Sequence, residues 1–593
     1  MATYLAPAVY VEETSFRAPS IEGVGTTTTA FVGPTLTGPV ATMPSALAVP
    51  QLLTSFGDFQ NIYGGYDTLS IESSPVDPKN TNFMALAVKS FFDNGGSMLY
   101  VSRVYSATGA PPAGYASAGS GDVTVRARFP GAFANGQSVT VTLVATKIVS
   151  AGTLPPGSIV ASVASDTTTT LYANGTGSTF NSLAATPTPM PATPAAGTTL
   201  YVLSLNVSSY GAASPKATSS GSVQTQSFSG LGLDPANASY LGSMLGATPP
   251  RHIDALENQI AFTIASTVTP ATLITDLFGA TAEAHPAAGA SVTFTLANGT
   301  DGTEPLAGDY DAALALLEGL EDVAIVAAPG SSILTDNAAI VQSLITHVSR
   351  ERAYRIAILD APPGDIASDD ENVRAHIDSS YAALYVPWVV VANPLARSGT
   401  SIPAEITVPP SGMIAGIYAR NDEQNSVAKA PANEVLLGAL DLERQITFGE
   451  QATLNPLGIN CLRYFPNRGY RVWGARTATS DSEFMYVNVR RYLIYLEHSI
   501  DNSTQWAVFE NNGPALWARV TDSVDSFLNA EFVEGRLLGT TPAQAYFVRC
   551  DRTTMTQNDL DNGRMICLIG VALLKPAEFV IFRIGQKTAD ARS

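Results

Sequence analysis

The chain of 593 residues is too long for a single hydrophobic core, and typical domain sizes divide it into roughly three to five compact units. Apolar residues make up 45% and charged residues only 14%, so the chain can fold but has few charges to solvate an isolated surface, a composition suited to packing against copies of itself. The net charge of −19 repels phosphate backbones and argues against nucleic acid as the main partner.

The opening residues, 1–25, read as an extended N-terminal arm in which Val9, Tyr10 and Val11 favour a strand and Pro7 blocks a helix. They lack the basic and apolar regions of a secretory signal, and no apolar run reaches spanning length, so the expectation is assembly in the cytoplasm without membrane insertion. Residues 26–107 read as the first part of an α/β core. Thr26 to Val32 is a β-type run, Asn82 to Phe92 has helical spacing, Asn94-Gly95-Gly96 stops that helix, and Met98 to Val104 is a buried strand.

From Thr108 to Pro250 the composition changes, with seven charged residues in 143 and short alternating runs such as Ser138 to Val144. Together with turn signals at Asn135-Gly136, Asn174-Gly175 and Asn298-Gly299, this predicts an inserted β-rich domain over 108–300, and the Pro-rich run Thr186 to Pro194 reads as a loop. Residues 301–440 return to α/β grammar. Helices are expected at Asp311 to Leu320 and Ala338 to Arg350, and strands at Val323 to Ala328, Arg355 to Leu359 and Trp388 to Ala392, the last completing a parallel sheet.

Residues 441–575 read as a C-terminal α+β domain. The predicted elements are helices Glu483 to Ile500 and Pro514 to Phe532, a strand at Gln505 to Phe509, and strands at Ala545 to Cys550 and Met565 to Leu574. A terminal strand, Glu578 to Ile584, falls within a C-terminal arm, 576–593. This last quarter is nearly neutral: residues 441–593 hold 16 Lys+Arg against 17 Asp+Glu, leaving 16 against 34 of the totals 32 and 51.

Catalytic signatures are missing from the pattern. No GxSxG, HExxH, P-loop or dinucleotide fingerprint occurs, and the five histidines, His252, His285, His347, His376 and His498, are scattered and read as structural or surface residues. Three cysteines, Cys461, Cys550 and Cys567, are too few for a disulfide framework and do not form a CxxC metal site. The acidic stretch Asp365 to Glu371 reads as a helix N-terminus, and Asn558 to Gly563 as a turn, because its glycine sits at the wrong offset for a calcium loop. No cofactor and no metal is expected, and the chain reads as a non-enzyme.

Several blocks resemble the contractile tail sheath family of myophages, pyocins and extracellular contractile injection systems. They include Tyr4 to Glu13, Ile21 to Thr26, Ser90 to Gly96, Val408 to Gly412 with Ile417 to Asp422, Lys429 to Asn433, Asn455 to Asn460, Gly469 to Thr477, Asn488 to Arg491 and Pro576 to Val580. The resemblance covers roughly residues 1–105 and 305–590. It implies a structural subunit that polymerises helically around an inner tube and contracts on energy stored at assembly, with baseplate and terminator or cap proteins as further partners. The fold it implies is multidomain: an α/β sheath core and a C-terminal α+β inner domain, with N- and C-terminal strands exchanged between neighbours.

Val9, Tyr10, Val11, Phe579, Val580, Ile581, Phe582 and Ile584 are the candidate strand-donating residues. Arg490 and Arg491 are candidates to face the inner tube, because the last quarter of the chain, 441–593, carries half of all Lys+Arg. The particle is a phage tail or a contractile injection system. The insertion 108–300 would decorate the outside. Alternative readings are a surface adhesin or glycan-binding protein, suggested by the Thr/Ser-rich insertion, and a hydrolase-like enzyme built on the α/β portion.

Overall fold

The computed structural model describes residues 21–583 apart from 75–76, 108–112, 153, 166–167, 175–178, 185, 211–224, 365–366 and 400. The expected donor residues Val9, Tyr10, Val11 and Ile584, and the acid Asp365, lie outside the described residues.

The central feature is an eight-stranded sheet. Its order is Leu52–Leu53, Leu99–Arg103, Thr29–Gly33, Ile325–Ala327, Ile356–Asp360, Ala382–Val386, Ile459–Phe465 and Gly469–Val472. The six inner strands run parallel, and the two edge strands antiparallel. Thr29–Gly33, Ile356–Asp360 and Ala382–Val386 are buried at every position, which is why they read as unbroken apolar runs, since helices cover both faces. Phe83–Asp93 and Ser411–Gln424 pack on one face, and Ala307–Ala315 and Asn337–Val348 on the other. Gly412 and Gly416 let the first pair approach closely: a Cβ on Gly412 would stand 2.7 Å from Ala87 Cα, and one on Gly416 2.4 Å from the Phe91 carbonyl.

Trp388 to Ala392 does not extend the parallel sheet; that place belongs to Ala382–Val386, and Val389–Ala392 joins Glu405–Val408 and Ala439–Leu442 in a separate antiparallel sheet. Pro387 has no N–H to continue the ladder, and Trp388, whose indole N–H donates to the Ala361 carbonyl at 2.7 Å, is held under the sheet instead. The boundary at 441 is also misplaced, because Ile459–Phe465 pairs with Ala382–Val386 and belongs to the central sheet. The C-terminal unit begins near Val487.

Between Ser117 and Thr295 the chain builds a seven-stranded and a three-stranded antiparallel sheet around a core of their own. Val139, Val141 and Leu143 alternate inward while Thr140 and Thr142 point away, a period of two that a one-sided sheet requires. The fully buried Arg103 on the central sheet donates to the carbonyls of Thr35, Gly38 and Pro130, and so ties this region to the α/β body.

The C-terminal unit comprises the helices Val487–Ser503 and Pro514–Val533 and a two-stranded sheet, Tyr546–Arg549 with Leu568–Val571, around Tyr492, Leu496, Trp517, Val524 and Leu528. Gln505 to Phe509 is not a strand: Gln505–Ala507 forms a short 3₁₀ turn, fastened where the Gln505 amide donates to the carbonyl and carboxylate of Asp501 at 3.0 and 2.9 Å. Ile21 and Val24, placed in the predicted arm, pack into this unit, and the N–H of Val24 donates to Ser499 Oγ at 3.1 Å. Gly23 allows the close approach, because a Cβ would lie 2.2 Å from the Tyr495 hydroxyl oxygen and the ring would have to shift.

Candidate functional site

The C-terminal segment leaves the body in three steps. Leu538 N–H donates to the Ala572 carbonyl at 2.8 Å, and the Asn488 amide donates to the carbonyls of Ala428 and Leu574 at 2.8 and 3.0 Å. Pro576 then interrupts the chain's pairing capacity. Finally the Glu578 carboxylate accepts from Arg476 Nε at 2.9 Å and Nη2 at 2.5 Å, from Asn455 Nδ2 at 2.6 Å and from the Tyr486 hydroxyl at 3.1 Å. Burial alone would raise the affinity of this carboxyl for a proton, but the hydrogen bonds from Arg476 and Asn455 outweigh it and hold Glu578 below the usual range.

Beyond the anchor no described residue covers the side chains. Phe579, Val580, Ile581 and Phe582 are 72%, 68%, 77% and 83% exposed, and Glu578 to Arg583 pairs with no strand among the described residues, so the predicted strand is not formed within this chain. Fully burying each such side chain is worth about 1.5–3 kcal/mol, and their backbone groups are free to pair with an open sheet edge.

An edge of that kind exists on the same unit. The sheet of Tyr546–Arg549 and Leu568–Val571 has only two strands, which is marginal in isolation, and Phe547 and Leu568 are about half exposed on it. Phe547 lies across Gly570, where a Cβ would come within 2.2 Å of its ring. A groove of about 600 Å³ opens beside the anchored tail, lined by Ala428, Ala430, Phe448, Trp473, Leu574 and Pro576.

Arg490 and Arg491 do not face outward. Arg491 is buried, donates to Asp422 at 2.9 and 2.7 Å and to the Thr26 carbonyl at 3.0 Å, and its guanidinium lies 4.7 Å from the Tyr418 ring centre. Arg490, also buried, sits 3.9 Å from the Phe484 ring and 4.3 Å from the Tyr381 ring and donates to Ser380 Oγ at 2.7 Å. The inner-tube assignment of both is therefore corrected: their charges are engaged inside the chain. Asp422, which sequence reasoning missed, lies inside a family block, but its partner is 69 residues away and neither spacing nor charge pattern links them.

Several of the groups that could have supported catalysis are likewise engaged, while His252, His285 and His376 are exposed. His347 contacts Arg355 and Arg350 and is driven down to about 3 by burial and then by those two cations, which keeps it neutral. His498 stacks on Tyr354 with ring centres 4.7 Å apart. At the end of a central strand, buried Asp360 accepts from Ser411 N–H at 2.8 Å and Oγ at 2.5 Å, and burial pushes its carboxyl up to about 7 against those bonds. Asp369 and Asp370 lie in the first turn of Ala367–Ala375, with Asp370 ion-paired to Arg444. Asn558 to Gly563 is a short helix and turn capped by Thr556. Among the described residues no group of three or more His, Cys, Asp or Glu could hold a metal, and no helix is long and apolar enough to cross a membrane.

Residues 304–478 match the family model of the phage tail sheath protein central domain, and residues 479–587 that of the phage tail sheath C-terminal domain. A prophage major tail sheath protein of Pseudomonas aeruginosa (strain UCBPP-PA14) is 25% identical over 241 residues, 40% of this chain and 58% of that protein, so the match spans little more than half of that relative. A chain from the contracted helical sheath of the anti-feeding prophage shares the fold, with a TM-score of 0.52 and 20% identity over 99% of this chain and 100% of the other. The sheath tail protein of Listeria innocua does so with a TM-score of 0.51 and 13% identity over 93% and 96%.

Proposed function

Because this chain belongs to the contractile tail sheath family, whose members are structural proteins, we propose that it is a sheath subunit that polymerises with copies of itself around an inner tube and contracts to drive that tube through a target envelope. The observation that carries the reading is the run Phe579 to Phe582, apolar, exposed and unpaired just past an anchored carboxylate. In a polymer it becomes a strand on the two-stranded sheet of a neighbour, and the N-terminal arm with Val9, Tyr10 and Val11 does the same from the other end.

Roughly six backbone hydrogen bonds at about 1 kcal/mol each, with the apolar burial, keep such a link intact while the bodies it joins rotate. The extended packing is trapped at assembly and the contracted packing lies lower, so the energy resides in the lattice. The inner tube, a baseplate and a terminator are the further partners, the particle is a phage tail or injection machine assembled in the cytoplasm, and the region 108–300 decorates its outside.

The double substitution Val580→Glu with Phe582→Glu tests the donor strand. Charges there cannot be buried on a neighbour's sheet, while the exposed positions leave the monomer fold alone. Folded monomers that form no tubes by negative-stain microscopy are expected. Tubes of normal width and length from the double variant would refute the reading.

A further inference from the structure

Cys550 directly follows the strand Tyr546–Arg549, and Cys567 directly precedes its antiparallel partner Leu568–Val571. Because Arg549 pairs with Leu568, the next step outward sets Cys550 opposite Cys567. The phase of the ladder follows from its other end, where the N–H of Ala572 donates to the Ala545 carbonyl at 2.8 Å across a facing pair. Bonded and non-bonded pairs alternate from there, so Ala545/Ala572, Phe547/Gly570 and Arg549/Leu568 are bonded, and Cys550/Cys567 falls on a non-bonded pair. Non-bonded pairs bring the Cα atoms to about 4.5 Å, inside the range of about 4.4–6.8 Å that a disulfide spans. Both thiols are free, and each interacts with the other through a side-chain hydrogen bond. Cys550 is buried and Cys567 half-buried, while the third cysteine, Cys461, is fully buried in the central sheet.

We propose that Cys550 and Cys567 are a redox modification site that closes into a reversible cross-strand disulfide when the protein meets a peroxide. The Cys567 thiolate, the more accessible, attacks a peroxide oxygen; the O–O bond breaks, hydroxide leaves, and Cys567 becomes a sulfenic acid. The Cys550 sulfur then attacks the sulfenic sulfur, and water leaves with the Cys550 proton. In sum, hydrogen peroxide accepts two electrons, two thiols become one disulfide and two waters form.

The closed bond spans the loop Asp551 to Ile566, which carries the short helix Gln557–Asp561, and pins the far end of a sheet with only two strands of its own. That is the sheet on which a neighbour's strand would settle, but the disulfide chemistry itself does not depend on assembly.

Burial pushes the Cys567 thiol up to about 12 and raises Cys550 as well, with Asp551 adding to the latter, so thiolate is scarce at neutral pH. Closure is consequently slow near pH 7 and speeds by about tenfold per pH unit until the thiol titrates.

The test uses the full chain treated with hydrogen peroxide at pH 7 and pH 9, followed by thiol titration in denaturant and peptide mapping without reductant. The expected result is a fall from three free thiols to one, a Cys550–Cys567 linked peptide lighter by about 2 Da than its two reduced halves, faster closure at pH 9, and recovery of all three thiols with dithiothreitol. Three titrating thiols after treatment, a sulfinic acid on Cys567 beside a free Cys550, or bridges between chains would each overturn the proposal. Cys567→Ser should leave Cys550 unlinked under the same treatment; loss of the Cys550 thiol at the parent rate in that variant would overturn it equally.

Discussion

Replacing Arg491 by Met removes the cation that joins three parts of the chain. Its guanidinium bonds Asp422 on the Ser411–Gln424 helix twice and the Thr26 carbonyl once, from a position on the Val487–Ser503 helix. Asp422, 3% exposed at its side chain, would keep Thr26 Oγ1, which donates at 2.6 Å, but no cation. Removing one partner of a buried pair costs about 3–5 kcal/mol, because the remaining charge is stranded, and the lost contact over Tyr418 adds about 0.5–2 kcal/mol. With a urea dependence of about 2–3 kcal/mol per molar, the unfolding midpoint should fall by more than about 1 M. Indole fluorescence reports it, since Trp517 lies in the C-terminal core. Adding Asp422→Asn should recover part of the loss by discharging the stranded group. A midpoint for Arg491→Met within the error of the parent would refute the assignment of this pair as the clamp between the units, and an unchanged protein that fails only on the inner tube would restore an outward role for Arg491.

Two further outcomes follow from the same structure and a third from the sequence. Asp360 has a folded value of about 7, above the ordinary carboxylate value, so its contribution is fully present below about pH 4 and is lost as pH rises through about 7, worth about 4 kcal/mol at about 1.4 per pKa unit. Asp360→Asn should therefore be more stable than the parent at pH 8 and show a flatter midpoint between pH 4.5 and 8; parallel profiles would count against the buried carboxyl. Glu578 is depressed, so its anchor holds above the ordinary carboxylate range and fails as pH falls through the lowered value. Glu578→Gln should speed amide exchange at residue 578, whose N–H donates to the Pro576 carbonyl at 3.0 Å, by about tenfold, and an unchanged rate would remove the anchor from the account. Deleting residues 1–13 should leave a folded monomer that forms no long sheaths in microscopy; normal polymers would dismiss the N-terminal donor.

What the sequence made legible was set by range. Runs such as Ile356–Asp360, and the helix Pro514–Val533 with Pro514 in its first turn, are written in neighbouring residues and appear where the pattern puts them. The acids at Asp369 and Asp370 likewise sit where a helix dipole favours them. Expectations failed where the deciding partner is distant. Arg490 and Arg491 read as surface charge because a pair of arginines carries no local mark of the carboxylate and rings that enclose them. Trp388 to Ala392 is apolar enough for any buried strand, and only the pairing of Ala382–Val386 decides which run enters the parallel sheet. The exposed run Phe579 to Phe582 is the inverse case: its pattern predicts a strand, and no pairing partner for it lies among the described residues.

The distribution of bonds within the subunit bears on where a sheath would move. Between the α/β body and the C-terminal helices the contacts are many and of different kinds: Arg491 with Asp422, Arg352 with Asp501 at 2.7 Å, the Tyr354 hydroxyl on Asp501 at 3.0 Å, and the buried Ile21 and half-buried Val24 packed into the core that holds Tyr492 and Tyr495. To open that joint several must break together, and of these the Arg491–Asp422 pair is buried, whereas Arg352 with Asp501 lies partly in solvent and adds little. Beyond Leu574 the chain crosses Lys575, Pro576 and Ala577 and is held by one carboxylate, with no ladder on either side. If the run Phe579 to Phe582 is donated to a neighbour as proposed, torsion applied to an assembled lattice would concentrate at this short segment, which can turn while the strand and the body stay intact. A proline bridge such as Glu578→Pro would stiffen the segment and remove its anchor at once, whereas Ala577→Gly would loosen it and keep the anchor. If the segment is the hinge, Ala577→Gly should assemble and contract at a lower trigger, read as a lower urea concentration for contraction by microscopy. An unchanged threshold would place the motion inside the subunit, against the weight of the bonds that hold it closed.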